Sequence, residues 1–168
     1  TTATGNVAMG YKALEDNTAD YNTAIGWNAA PDNTTGTYIT ALGNGALYRN
    51  TTGTHNTCVG RDTGAYITDG LRNTVMGASA GDAGNWSDNT FIGYAAGTSC
   101  SDGIQHNTAL GASAGYNLST GDNNTLLGYN AGTSGSPSGV VNNESNVVCL
   151  GDNNVADLYC NDTSISSS

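Results

Sequence analysis

The sequence has few large apolar residues and few positively charged ones. Leu, Ile, Val and Phe together account for 25 of 168 residues, which is below the roughly 20% at which a strongly charged chain is expected to be disordered. Four Lys and Arg stand against fourteen Asp and Glu, so the formal net charge is -10. This balance argues against nucleic acid or an anionic membrane as a partner. No run approaches the roughly 18 apolar residues of a membrane span, so we expect no membrane insertion.

Closely paired cysteines and runs of charge are absent as well. Charged residues make up only 11% of the chain, so its polarity comes from Asn, Thr, Ser and Gly. Cys58, Cys100, Cys149 and Cys160 lack the close paired spacing of a zinc or redox site. We expect buried free thiols, with disulfides as the alternative.

A strict repeat is what the chain has instead. A short apolar step ends in a glycine every 16 to 18 residues, with one longer interval of 23 before the last. Before most of these glycines stand Asn, Thr, a small or apolar residue and a large apolar residue, as in residues 22–25 and 124–127. The anchor glycines are Gly10, Gly26, Gly43, Gly60, Gly77, Gly93, Gly111, Gly128 and Gly151.

Each repeat also carries an alanine three residues after the anchor and often a second glycine ten residues after it. The second glycine closes turn motifs such as Thr-Thr-Gly. These glycines are Gly36, Gly53, Gly70, Gly103 and Gly121.

The length of the unit predicts an all-β fold. It has room for two strands of four or five residues and two turns, and it shows no apolar pattern at helical spacing. We expect a parallel β-solenoid or β-roll of about nine repeats of 16–18 residues, rising on the order of 40 Å. Residues 1–133 form the repeat shaft in this interpretation, and residues 134–168 form an irregular last coil and C-terminal segment.

The two faces of each strand are both apolar near the anchor glycine. Alternation places the Thr and the large apolar residue of each tetrad on one face, and the Asn and the middle residue on the other. The interior of a solenoid covers only one face, so another chain or another sheet of the same chain must cover the second. With so few large residues in each coil, we expect several identical chains packed around one axis. We also expect the Thr to point inward, which argues against an ice- or mineral-binding surface.

The N-T-A-φ-G-x-x-A-G repeat with its T-T-G turn, present from Asn6 to about Asn154, resembles repeats of bacteriophage tail-fibre proteins. It resembles more distantly the head repeats of trimeric autotransporter adhesins. The resemblance implies parallel β-rolls that assemble as homotrimers on a virion surface or outside cells. Departures from the pattern are Ile39 in the Asn position, Thr63 in the alanine position, and a break in the period from 132 to 145.

The segment 150–168 is similar to the sequence just ahead of the endosialidase-type intramolecular chaperone in phage fibres and tailspikes. In that family the chaperone trimerises the fibre and then cuts itself off at a serine. The resemblance therefore implies that Ser168 is an autocleavage end. A chain end set by cloning would look the same.

Candidate catalytic and metal-binding residues have simpler explanations in the repeat. His55 and His106 both precede a tetrad and so occupy equivalent positions, which needs no general base. Asp-rich turns suit calcium, but the nonapeptide of calcium-binding β-rolls is missing. We assign no enzyme activity, no catalytic residue, no metal site and no cofactor, with bound calcium as the alternative. The turn carboxylates, which we expect to bond to the local backbone, are Asp32, Asp69, Asp102 and Asp122.

Aromatic residues recur directly after the anchor glycine. Stacking on neighbouring coils is the simpler interpretation, and contact with sugar rings from a solvent-facing position is the alternative. These residues are Tyr11, Trp27, Tyr94 and Tyr129.

Two functions remain open from the sequence. The leading hypothesis is a structural and receptor-presenting segment of a phage tail fibre or similar virion appendage, which contributes to attachment to a host surface glycan or protein. The alternative is a subunit of a cellular extracellular filament or adhesin that polymerises through its ends. A glycan-degrading tailspike would need paired carboxylates across a groove, and the sequence identifies none.

Overall fold

The computed structural model describes residues 3–136 and 139–155, which form one parallel β-sheet of nine strands. Each strand has three residues, and each pairs with the strands before and after it in the sequence. Within these residues no helix is long and apolar enough to span a membrane. The strands are β1 (Val7–Met9), β2 (Thr23–Ile25), β3 (Thr40–Leu42), β4 (Thr57–Val59), β5 (Thr74–Met76), β6 (Thr90–Ile92), β7 (Thr108–Leu110), β8 (Thr125–Leu127) and β9 (Val148–Leu150).

The register of the sheet follows the sequence repeat. Paired residues lie 16 to 18 positions apart from β1 to β8, as in Thr23 with Thr40, and 23 positions apart between β8 and β9. The chain therefore makes about seven regular turns and one longer one. The prediction of an all-β parallel solenoid with a repeat of about 17 residues is confirmed.

Each turn contains one strand, and the expectation of two strands of four or five residues is wrong. The reason is the sharp bending that follows every anchor glycine, where non-glycine residues such as Asn28 (φ 51°) and Ala30 (φ 45°) adopt the left-handed conformation. Outside the strands, successive turns still bond to one another, as from the Thr34 N–H to the Thr51 carbonyl at 2.9 Å. An isolated parallel bridge between Ser87 and Gln105 is the remnant of a second strand position.

The interior is narrow and lined mainly by small side chains. The middle residue of every strand from β2 to β8 is fully buried, and in three of these strands it is alanine. The alanine three residues after most anchor glycines lies inside as well, as Ala29 and Ala96 do. Neighbouring turns thus close a core with few large residues, which explains how a chain poor in aliphatic side chains folds.

Two large aromatic side chains fill the middle of the solenoid. Trp86 and Phe91 pack edge to face with ring centroids 5.0 Å apart, and the Trp86 indole N–H donates to the Ala83 carbonyl at 2.9 Å. Glycines make room for both rings. A Cβ atom on Gly97 would lie 2.5 Å from the Phe91 ring, and one on Gly81 would lie 2.6 Å from the Trp86 ring.

The tetrad Thr faces outward, so the expectation that it points inward is wrong. Ala24 is fully buried between Thr23 and Ile25, which are both partly exposed, and the same pattern holds from β2 to β8. Both faces are apolar near the glycine, and the smaller middle residue is the one that fits the narrow interior. The expected sharing of a face by the Asn and the middle residue is observed.

The Asn of the tetrad forms a buried ladder that joins successive turns. The Asn73 Oδ1 accepts the N–H of Asn89 at 3.0 Å, and the Asn89 Oδ1 accepts the N–H of Asn107 at 2.9 Å. Each amide nitrogen also donates to a carbonyl of the neighbouring turn, as Asn73 does to Trp86 at 2.7 Å. We call this set the inner Asn ladder; Ile39 interrupts it. Its members are Asn6, Asn22, Asn56, Asn73, Asn89, Asn107 and Asn124.

A second ladder, not expected from the sequence, runs through three turns. The Asn33 amide donates to the Asn17 Oδ1 at 2.6 Å, and the Asn50 amide donates to the Asn33 Oδ1 at 2.7 Å. The buried Ile67 lies one repeat beyond Asn50, and its side chain has no donor. The buried Asn50 Oδ1 consequently has no hydrogen-bond partner.

The anchor glycines lie where successive turns approach closely. At Gly43, φ is 133°, and a Cβ atom would lie 2.3 Å from the Gly60 carbonyl oxygen. The second glycines Gly70 and Gly121 also lie against the next turn, since a Cβ atom on them would meet the Trp86 and Glu144 carbonyl oxygens. Their own carbonyls accept from the inner Asn ladder, whereas Ile104 rather than Gly103 does so in its turn. Gly103 is therefore not equivalent to the other second glycines.

Candidate functional site

The outward side of the sheet carries two parallel rows of side chains along the solenoid. Thr residues form one row at the first strand position, and large apolar residues form the other at the third. We call these rows the outer sheet face. None of the residues in the nine described strands is charged, although the chain has 18 charged residues. The apolar row consists of Met9, Ile25, Leu42, Val59, Met76, Ile92, Leu110, Leu127 and Leu150.

Because the Thr row faces outward, an inward Thr no longer argues against an ice- or mineral-binding surface. The apolar row beside it supplies a different argument. Its side chains change from Ile to Leu, Val and Met along the solenoid, so the Thr row is flanked by an irregular apolar row rather than by a second row of one polar side chain. A face that is half apolar and without charge is typical of the core of a protein–protein interface.

The four aromatic residues predicted after the anchor glycines all face solvent, with 53 to 64% of their surface exposed. Tyr11 and Trp27, in adjacent turns, stack with ring centroids 6.0 Å apart. Tyr94 and Tyr129 are separated by the turn that carries Ala112 at the same position. The stacking prediction is therefore confirmed for Tyr11 and Trp27, and the four residues do not form one site.

A second row of exposed rings was missed by the sequence analysis. The Tyr21 and Tyr38 rings stack at 5.2 Å, and the Tyr38 and His55 rings stack at 4.9 Å. Each of these residues directly precedes a tetrad and has a positive φ. The signal was available, since the position before each tetrad is as periodic as the anchor glycine.

The same row continues with charged residues. Arg72 forms two hydrogen bonds to the Asp88 carboxylate, at 2.6 and 2.7 Å. The Arg72 guanidinium holds the pKa of the Asp88 carboxyl below its ordinary value. His106 follows one turn later with φ 60°, close to the 59° of His55. The two histidines thus occupy equivalent repeat positions, as the sequence indicated.

A cleft of about 470 Å³ opens on the side of the solenoid, beyond the anchor glycines. Its lining comes from four consecutive turns and contains three aromatic rings, two amides, two carboxylates and one guanidinium. We call it the side cleft. Its lining residues are Trp27, Asn28, Asn44, Gly45, Tyr48, Arg49, Asp62, Ala65, Tyr66 and Asp82.

The polar groups of the side cleft are held in defined positions. Arg49 lies over the Tyr66 ring, with its guanidinium carbon 4.8 Å from the centroid. One oxygen of Asp62 accepts a hydrogen bond from Arg61 at 2.6 Å, and a Cβ atom on Gly45 would lie 2.5 Å from the other. Burial raises the pKa of the Asp82 carboxyl above its ordinary value, and the charge of Asp62 raises it further.

Asn28 has an unusual environment for a residue that lines a cleft. Only 8% of its surface is exposed, and its Oδ1 has no hydrogen-bond partner. Its φ of 51° is one that Asn and Gly tolerate best. A buried polar atom without a partner costs about 1–3 kcal/mol.

Three of the four turn carboxylates, Asp69, Asp102 and Asp122, bond to a neighbouring turn rather than to the local backbone, which corrects the expectation for them. Asp102 accepts the N–H of Asn85 at 2.7 Å, and Asp122 accepts the N–H of Gln105 at 2.7 Å. Asp69 accepts a hydrogen bond from the Asn85 amide. In the described ranges, there is no group of three or more His, Cys, Asp or Glu side chains that could hold a metal ion.

The cysteines that the structure describes lie in the interior. Cys58 and Cys100 are buried free thiols, as expected, and burial raises their pKa values far above the ordinary range. Cys149 is buried too, and its Sγ accepts the N–H of Gly132 at 3.2 Å. Cys160 and the predicted autocleavage end, Ser168, lie outside the described residues.

Comparison with known proteins finds no matching family model, no matching curated protein and no matching solved structure. The solenoid and its Asn ladders are therefore established by geometry alone. The resemblance to tail-fibre repeats rests on the motif and its spacing.

Proposed function

We propose that this chain is a shaft segment of a phage tail fibre or similar virion appendage, which assembles as a homotrimer and contributes to attachment to a host surface. The observation that carries the proposal is the outer sheet face. A row of exposed or partly exposed large apolar side chains runs through the nine described strands without one charge, although the chain carries a net charge of -10.

The period of the outer sheet face favours a second copy of the same chain as its partner. Its apolar side chains recur at the inter-strand distance of roughly 4.8 Å, over a length on the order of 40 Å. Another rod with the same repeat can match this spacing along its whole length. Like-charged chains can also associate through this face without bringing carboxylates together, since the charges lie on the turns.

The trimeric state and the place on a virion come from the resemblance of the N-T-A-φ-G repeat to tail-fibre repeats. Attachment by such a rod is mechanical and multivalent. Three identical chains present each exposed ring and cleft three times, so weak contacts add up to strong attachment.

The test is the mass of the native particle by light scattering, together with the intact mass of the chain. We expect a particle of three chains of 17.0 kDa each, stable in mild denaturant. A monomer would contradict assembly through the outer sheet face. Open-ended polymers would instead favour the alternative, a cellular filament or adhesin that joins end to end.

A further inference from the structure

The side cleft combines flat apolar rings with polar groups in the way that a saccharide site does. Trp27, Tyr48 and Tyr66 line the cleft and are exposed. One face of Trp27 stacks on Tyr11 and one face of Tyr66 is covered by Arg49, which leaves the opposite faces for a ligand. A sugar ring offers CH groups on its faces and hydroxyls at its rim. Ring faces therefore pack against the CH groups, while a few placed polar groups take the hydroxyls.

Asn28 supplies an independent sign of a ligand. Asn28 lines the cleft, and its buried Oδ1 lacks a donor. Rotation of the amide about its last side-chain torsion would be needed to bring that oxygen to a ligand in the cleft. A hydroxyl bound in the cleft gives that oxygen the partner it lacks, which recovers the desolvation cost. A cleft whose polar atoms all have hydrogen-bond partners recovers no such desolvation cost when a ligand enters.

The charges around the cleft indicate which sugars fit. Asp62 and Asp82 are acceptors for hydroxyl groups, and Arg49 is the single cation in the lining. The lining carries more negative than positive groups, and so does the chain, at -10. Acidic sugars are repelled by this field, whereas neutral sugars are not.

We propose that the side cleft binds one or two neutral sugar units of a surface glycan through Trp27, Asn28 and Tyr66. Its volume of about 470 Å³ falls within the roughly 300–1,000 Å³ of small-molecule sites. The biological role of this site rests on the attachment function proposed above. None of its lining residues belongs to the outer sheet face, so assembly through that face leaves the cleft open.

The test is saturation-transfer NMR on the full chain in its native assembly. The probes are the methyl glycosides of glucose, galactose, mannose and N-acetylglucosamine, with N-acetylneuraminic acid as the acidic comparison. The variants Trp27→Ala and Asn28→Gly follow the repeat itself, because Ala78 occupies the position of Trp27 and Gly45 that of Asn28 in other turns. Both variants are thus compatible with the turn.

We expect at least one neutral glycoside to bind and its affinity to fall about tenfold or more in both variants, equivalent to about 1.4 kcal/mol. The matched control is Tyr94→Ala, which removes a ring from the same repeat position as Trp27 but outside the cleft. It should bind as the unchanged chain does. No binding of any neutral glycoside, a preference for N-acetylneuraminic acid, or equal binding by Trp27→Ala would overturn the proposal.

Failure of this proposal is distinguishable from failure of the proposed function. A trimer that attaches to cells equally well with and without Trp27→Ala would exclude the cleft and leave the fibre function standing. A monomer that binds the glycoside in an Asn28-dependent way would retain the cleft and exclude the trimeric shaft.

Discussion

At the scale of single residues, the anchor glycines set the distance between turns. Their periodicity was visible in the sequence, and their physical reason was not. The sequence suggests a turn residue, whereas the structure places Gly43 against the backbone of Gly60 in the next turn. A side chain there would meet main-chain atoms that cannot move without separating the two turns.

We therefore expect Gly43→Ala to lower the free energy of unfolding by about 3 kcal/mol or more. The alanine would have to adopt a positive φ, and its Cβ atom would lie 2.3 Å from the Gly60 carbonyl oxygen. Chemical denaturation at a fixed chain concentration measures this change in the free energy of unfolding. Gly103→Ala is the control, because φ is 85° but no atom lies within 4 Å of the added Cβ. Its loss should be about 1 kcal/mol. Equal losses would show that the close approach does not matter.

The candidate site at this scale was predictable only in part. Trp27 was singled out from its position after Gly26, but Asn28 was not. The side cleft draws on four turns, so its residues are up to 55 positions apart in the chain. No pattern within one repeat brings Trp27 and Asp82 together, and only the register of the sheet does so.

At the scale of elements, three-residue strands are too short to hold the turns together by themselves. The inner Asn ladder adds side-chain bonds in the interior, parallel to the backbone bonds of the sheet. Asn73 joins three partners in this way: it donates to Asn56 and Trp86 and accepts from Asn89. The ladder thus makes neighbouring turns cooperative.

Replacing Asn73 by Ala removes the acceptor of a buried N–H and the donor to a buried carbonyl. Two such groups cost about 2 to 5 kcal/mol together, and we expect that loss in the free energy of unfolding by denaturant titration. The control is Asn44→Ala. The Asn44 side chain is exposed, and Ala78 occupies the equivalent position two turns later. It should change stability by less than about 0.5 kcal/mol. A similar loss in both variants would argue against the ladder as a stabilising element.

The elements also show why the inward face was assigned wrongly. Alternation along a strand fixes which residues share a face, and this part of the prediction is confirmed. It does not fix which face lies inside when both carry apolar residues. The deciding quantity is how the side chains of successive turns fill the interior together. Ala24 fits a narrow part of it, and Phe91 fits at the same strand position because Gly97 leaves room for its ring. The sequence of one turn alone does not reveal this.

At the scale of the whole molecule, the outer sheet face controls assembly in the proposal above. We expect the double variant Leu42→Glu and Leu110→Glu to be monomeric by light scattering, because six like charges would be buried among three chains. The control is Tyr94→Glu, which adds a charge at an exposed residue away from this face. It should remain trimeric. A trimer in the double variant would exclude the outer sheet face as the interface.

Identical turns pose a problem during folding, because a strand can pair with the wrong neighbour and still satisfy its backbone bonds. Phe91 and Trp86 remove this ambiguity. Their rings need the space left by Gly97 and Gly81, where other turns place Leu14 or Leu47. The adjacent turns also have glycine at this position, at Gly64 and Gly115, so the strands supply the discrimination. A pairing that skipped β7 would place Phe91 beside Leu126 of β8 instead of Ala109. The departures from the repeat, rather than the repeat itself, thus specify which turns pair with each other during folding.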